Sequence, residues 1–183
     1  MHAKKKTQPE LFRHFLSNDT IRCFASQDKC SIMQNYLKPI ADMLRNEHYK
    51  GKNMPFTTEL GIYLDGVEIE LAKQNKTNRK RTVDFLIGTG KDWILLTEAK
   101  FDVGNPREME VSELKEKITH SKELVSNSRM LTHIEPNIIV LLKDENFAQL
   151  YRELKNKVSN SLKVVPMNVS QFYQSVFEKE TVK

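Results

Sequence analysis

The sequence predicts an α/β domain with a central mixed sheet flanked by helices. Three observations carry that prediction. Apolar residues recur at helical spacing in several stretches. Two strand-like runs flank a glycine-bearing connection, and a further apolar run, Ile138–Leu142, lies between two helical patterns. The chain has 183 residues, and at roughly 150 residues per domain this reads as one domain over residues 1–183. Hydrophobic residues are 39% and charged residues 29%, enough apolar material for one core and too much for a disordered chain.

The elements follow in order. Leu11, Phe12, Phe15 and Leu16 predict a short amphipathic helix over Pro9–Leu16. Met33, Leu37, Ile40 and Leu44 form a second helical stripe, which Pro39 either kinks or restarts. Extended structure is expected for Gly61–Leu64. A turn at Asp65-Gly66 and a second strand follow, because Val67, Glu68, Ile69, Glu70 and Leu71 alternate apolar with acidic. Thr82–Ile87 and Trp93–Ala99 are stronger strands, joined by Gly88-Thr89-Gly90-Lys91-Asp92 and apolar enough for burial on both faces. Asn105, Pro106 and Glu108 mark a helix start, and Val111, Leu114, Ile118 and Val125 give that helix its buried stripe. The strand Ile138–Leu142 comes next. A helix capped by Asp144 carries Phe147, Leu150, Tyr151, Leu154 and Val158. An extended Leu162–Val165 and a last helix around Phe172, Tyr173, Val176 and Phe177 end the pattern.

Composition narrows the function classes. The longest apolar run is strand-sized, well short of the roughly 18 residues that span a bilayer. Lys4, Lys5 and Lys6 have no apolar stretch behind them, so no secretory signal is read. Cys23 and Cys30 cannot form a disulfide framework or a four-ligand metal site, and a reduced, cytoplasmic protein is the simplest expectation. The five histidines have no ligand spacing, and neither GxxxxGK[ST] nor GxGxxG occurs. The formal charge is +5, which permits nucleic-acid binding without requiring it. Lys73, Lys76, Arg79, Lys80 and Arg81 cluster in one polar stretch, either a solvated loop or a phosphate-contacting one.

The chemistry centres on Asp84 and Glu98. Asp84 interrupts an apolar strand, and Glu98 lies near the end of its hairpin partner, with Lys100 two residues on and therefore on the same face. If the strands pair across the glycine turn, Asp84 falls nearly opposite Glu98, and two carboxylates and an ammonium converge. A buried carboxylate needs a cation, a partner or a shifted pKa. Mg²⁺ suits such a set, with Mn²⁺ as a substitute, because it takes oxygen ligands and keeps several waters. The competing reading is a surface Glu-x-Lys ion pair worth roughly 0–1 kcal/mol.

Val83-Asp84 followed by Glu98-Ala99-Lys100 resembles the PD-(D/E)XK nuclease signature, and the order of elements over Met33–Leu142 is similar to that family's. The residue before the aspartate is Val83 rather than proline. The resemblance implies a restriction-endonuclease-like core (helix, three-strand meander, helix, strand) with extra terminal helices. It implies Mg²⁺-dependent hydrolysis of DNA, before RNA, by in-line attack that leaves a 5′-phosphate and a 3′-hydroxyl. Asp84, Glu98 and the Ala99 carbonyl would hold the metal, and Lys100 would position the attacking water. An upstream acid commonly completes such a site. Glu59 is the first candidate and Glu47 the second, ahead of Glu68 and Glu70.

Arg79, Lys80, Arg81, Lys115 and Lys122 are the candidate nucleic-acid contacts. The helix face bearing Lys115, Thr119, Lys122 and Ser126 also carries glutamates nearby, so an ordinary solvated face competes with that reading. Cleavage of both strands would call for a homodimer. The alternative function is a nuclease-like binding or assembly module without turnover. An interaction protein using the basic loop and terminal helices is a third.

Overall fold

The computed structural model describes residues 31–89, 93–103, 110–128, 133–145, 147–158 and 162–178. The helix expected at Pro9–Leu16, the cap residues Asn105, Pro106 and Glu108, and Gly90-Lys91-Asp92 lie outside them. Six helices and seven strands are described: α1 (Ser31–Gln34), β1 (Leu37–Pro39), α2 (Ile40–Asn46), β2 (Leu60–Tyr63), α3 (Leu64–Asn75), β3 (Phe85–Gly88), β4 (Trp93–Lys100), α4 (Val111–Asn127), β5 (His133–Ile134), β6 (Ile138–Leu142), α5 (Phe147–Lys157), β7 (Val164–Met167) and α6 (Val169–Val176). Pro39 restarts the chain as a helix: it ends β1 and caps α2, where its fixed φ and missing N–H cost nothing.

The strands form one mixed sheet in the order β1-β2-β3-β4-β6-β7, with β5 pairing β4 off that path. β1 to β4 are antiparallel neighbours. β6 joins β4 in parallel and β7 joins β6 in parallel, so α4 and α5 serve as the crossovers that parallel pairing requires. Alternation along β4 divides the core. Ile94 and Leu96 pack with Leu114 and Ile118 of α4 and Leu150 and Leu154 of α5. Leu95 and Ala99 pack on the opposite face with Ile40 and Leu44 of α2 and Phe172 of α6. Every residue of β3 and β6 is buried, as expected for strands covered on both faces.

Two stretches differ in kind from expectation. Leu37, read on one helical stripe with Met33, Ile40 and Leu44, lies in β1, so a strand separates α1 from α2. Val67–Leu71 is not a strand but the middle of α3. Leu64, Gly66, Val67, Glu68 and Ala72 are its buried residues, and Ile69, which strand alternation would hide, is 45% exposed. Nor is Asp65-Gly66 a hairpin turn. Gly66 lies in the first turn of α3, where a Cβ would overlap the Tyr36 ring, so glycine is needed for close packing. β2, β3 and β4 are still consecutive antiparallel neighbours, with a helix inserted between the first two.

Among the described residues, no helix is long and apolar enough to cross a membrane.

Candidate functional site

Asp84 and Glu98 are brought together by strand register. Phe85 pairs with Thr97 and Leu86 with Leu96. One further step sets Asp84 across from Glu98 and, by alternation, on the same face as Leu86 and Leu96. That is the face α4 covers. Asp84 stays in line beyond the end of β3 because its carbonyl accepts the Leu64 N–H at 3.0 Å. Its Oδ2 accepts the Ala99 amide at 2.6 Å. Val83, next to it, donates its N–H to Ser121 Oγ at 2.9 Å, while the Ser121 hydroxyl donates to the Lys117 carbonyl. A serine in the buried stripe of α4 thus fixes the backbone that carries Asp84.

The helix α4 runs back from the end of β4, so its first turns lie beside Glu98 and Lys100. Glu98 is fully buried, with side-chain exposure of 0%, and its Oε1 meets Lys117 Nζ at 2.7 Å and Lys100 Nζ at 3.1 Å. The expected neighbour Lys100 is there, and the closer contact is Lys117, a residue the motif does not point to. Glu98 Oε2 is buried with no hydrogen-bond partner. Glu113, one turn before Lys117, stands 3.8 Å from Lys100 Nζ and 3.9 Å from Lys117 Nζ, and its other oxygen pairs with Arg81 at 3.1 Å.

These neighbours shift the acids. Burial raises the Asp84 pKa well above the ordinary value, and the nearby Glu98 and Glu47 carboxylates push it further. Lys117 and the Ala99 amide pull against them. Glu47, the C-cap of α2, is also raised, first by burial and then by Glu98, with Lys117 opposing. Burial alone would lower the Lys117 ammonium. Glu98 and Asp84 outweigh it, and its pKa rises.

The upstream acid whose charge acts on this cluster is Glu47, while Glu59 lies away from it. Antiparallel pairing of β2 with β3 runs from Tyr63↔Phe85 to Ile62↔Leu86. Glu59 accordingly lies toward Thr89, about 16 Å along the sheet from Asp84 at roughly 3.3 Å per residue. Its Oε2 accepts the Thr57 and Thr58 amides instead, at 2.7 and 3.0 Å. Glu68 is held elsewhere, by the Lys80 amide at 2.9 Å and His120 Nε2 at 2.9 Å, and Glu70 bonds Gln74.

Among the described residues, no set of three or more His, Cys, Asp or Glu side chains forms a cage for a metal ion. Two facing carboxylates with one orphaned buried oxygen fit Mg²⁺, which takes one or two carboxylates and completes its shell with water.

The candidate nucleic-acid contacts divide. Lys80 and Lys115 line one cleft of about 270 Å³ with Glu116, Thr119, His120 and Glu123. Arg81 turns to Glu113 at the mouth of the acid cluster. Arg79 is tied to Asp65 at 2.6 Å, and Thr82 donates to the same carboxylate at 2.8 Å. Lys122 is half-buried on α4. Trp93 is exposed, with its ring 5.0 Å from that of His133.

Comparisons of the chain with family models, with curated proteins and with solved structures return no match.

Proposed function

We propose that this chain is a Mg²⁺-dependent endonuclease that hydrolyses DNA phosphodiester bonds, with a PD-(D/E)XK-like, restriction-endonuclease-like core. The observation that carries the reading is the alignment of Asp84 with Glu98 across the β3–β4 ladder, with Lys100 on the same face. The succession α2, β2, β3, β4, α4, β6, with α3 inserted between β2 and β3 and the short β5 before β6, supports it.

Asp84 and Glu98 are the residues that would hold the ion, joined by the Ala99 carbonyl. When bound, Mg²⁺ supplies a Lewis acid and a water of lowered pKa. The chain's own groups do the rest. Lys117 fixes Glu98 in one orientation, and Lys100 offers an ammonium to the attacking water and to charge that builds on the phosphate. Glu47 adds a third acid at the edge of the cluster. One such site cuts one strand, so cleavage of both strands calls for two copies of the chain.

The test is supercoiled plasmid incubated with Mg²⁺ or Mn²⁺ and wild-type, Glu98→Gln or Lys100→Met protein. Nicking by the wild type should fall by about 10²–10³-fold in each variant, the size expected when an electrostatic contact at a reacting centre is lost. An unchanged rate in either variant overturns the assignment. One observation favours a second reading, a nuclease-like binding module without turnover: both lysines are engaged by a single oxygen of Glu98. That reading predicts salt-sensitive DNA binding and no cleavage with any divalent ion.

A further inference from the structure

Glu113 is surrounded by cations from three separate elements. Arg81 comes from the loop after α3, Lys100 from β4 and Lys117 from α4. Arg81 Nη1 lies 3.1 Å from one oxygen of Glu113, and the two ammonium groups lie 3.8 and 3.9 Å from the other. The contacts are unequal. Both lysines approach Glu98 more closely than Glu113, so Glu113 takes what remains of their charge. It also faces outward: the Arg81 side chain is 66% exposed and that of Glu113 25%, and an exposed ion pair adds little net stability. A carboxylate held so loosely among three cations is readily replaced by an anion that suits them better.

The loop bearing Arg81 is fixed on both sides. Arg79 and Thr82 are tied to Asp65, the Lys80 amide to Glu68, and the Val83 amide to Ser121. The guanidinium is therefore presented from an ordered backbone, which reduces the ordering cost of binding. Guanidinium forms paired hydrogen bonds with phosphate, and ammonium groups add point charge.

The geometry points to a phosphate-binding site formed by Arg81, Lys100 and Lys117 that takes a backbone phosphate of nucleic acid, with Glu113 as the internal carboxylate the phosphate displaces. The identity of the ligand rests on the nuclease reading; the site itself is drawn from the ion pairs. Removal of the Glu113 charge should tighten nucleic-acid binding, and only through Arg81.

A short fluorescent DNA duplex is titrated in EDTA, by anisotropy, with wild type, Glu113→Gln, Arg81→Gln, the double variant, and Glu178→Gln as an equal change of charge beyond α6. Circular dichroism establishes that each is folded. Glu113→Gln should tighten binding by about 3–10-fold and Arg81→Gln should weaken it by a similar factor, the size expected when a single phosphate interaction is strengthened or removed. The double variant should show no tightening relative to Arg81→Gln, and inorganic phosphate should compete better against Glu113→Gln than against wild type. Glu113→Gln no tighter than Glu178→Gln, tightening that persists without Arg81, or no binding by any protein overturns the site. The same duplex with Mg²⁺ separates this result from the nuclease reading. Absent cleavage with the tightening intact removes the catalysis and leaves the phosphate site; cleavage without the tightening does the reverse.

Discussion

Lys100 and Lys117 both neutralise Glu98 through one oxygen, and that sharing has a measurable signature in stability. The perturbations are Lys100→Met, Lys117→Met and the double substitution, since methionine keeps most of the stem and removes the charge. Hydrogen bonds to charged groups contribute about 1.5–3 kcal/mol. Each ammonium side chain is 16% exposed and Glu98 is 0%, so water replaces part of what is lost. Each single substitution should therefore cost about 1–2 kcal/mol, because the other lysine still faces the carboxylate. Lys117, at 2.7 Å against 3.1 Å, should cost more. The double substitution leaves a fully buried carboxylate that already has one orphaned oxygen and no cation against it, a condition worth about 3–5 kcal/mol. At mid-range the summed singles then fall short of the double by about 1 kcal/mol, within the range for residues that share a partner. Urea denaturation at neutral pH in EDTA measures this, provided the m-value stays constant across the four proteins. Additivity within about 0.5 kcal/mol refutes the shared-oxygen account.

Two further outcomes are expected. The Asp84 pKa is raised in the folded state, so the native protein binds that proton more tightly than the unfolded chain does. The associated stability is complete below the ordinary value of 3.8 and is lost as pH rises through the raised value. Glu47 acts with the same sign. Asp84→Asn should therefore match the wild type in metal-free urea denaturation at acid pH and become progressively the more stable protein toward neutrality. A constant difference across that range contradicts the linkage. Ser121→Ala leaves the buried Val83 amide without its acceptor, which should cost about 1–3 kcal/mol by the same denaturation measurement. Because that contact also sets the backbone of Asp84, a cleavage assay at a temperature where the variant remains folded should show a lower rate. An unaltered rate would separate the serine from the site.

Much of the site was legible because strands obey simple parity. Asp84 and Glu98 flank a glycine turn at distances that any hairpin of that length sets nearly face to face, and Lys100 follows Glu98 by two. Other features depended on quantities a sequence does not carry. Val67–Leu71 satisfies both a period of two and a helical one over five residues, and the buried partners Leu64 and Ala72, outside that window, decide for the helix. Glu47 and Glu59 both precede β2, and only the register of β2 on β3 places Glu59 toward Thr89 and away from Asp84. Lys117 is one of several charged residues on α4, and which of them faces the sheet depends on the helix's rotation. A signal was present: Ser121 stands in the buried line between Ile118 and Val125, and Lys117 lies one turn before it, so a polar break in an apolar stripe marked the side that meets the strand ends.

The charges explain why this corner of the sheet is built from ions at all. Glu47, Asp84, Glu98 and Glu113 supply four acids against the three cations Lys100, Lys117 and Arg81. The excess acid falls on Asp84 and Glu47, whose ionisation is opposed by burial and by neighbouring carboxylates, and their raised pKa values are the consequence. Apolar residues at these positions would pack with Leu86 and Leu96 and often give a more stable fold than buried ions do. The arrangement instead leaves two carboxylates under-compensated, another with an unpaired oxygen, and an arginine at the entrance held by an exposed contact. Each feature is a cost to the resting protein and an advantage to a ligand set of opposite polarity, positive within and negative at the mouth. A divalent ion with a phosphate over it has that polarity. The same electrostatics that make the cluster unfavourable by itself therefore favour the metal-and-phosphate pair that the proposed reaction requires.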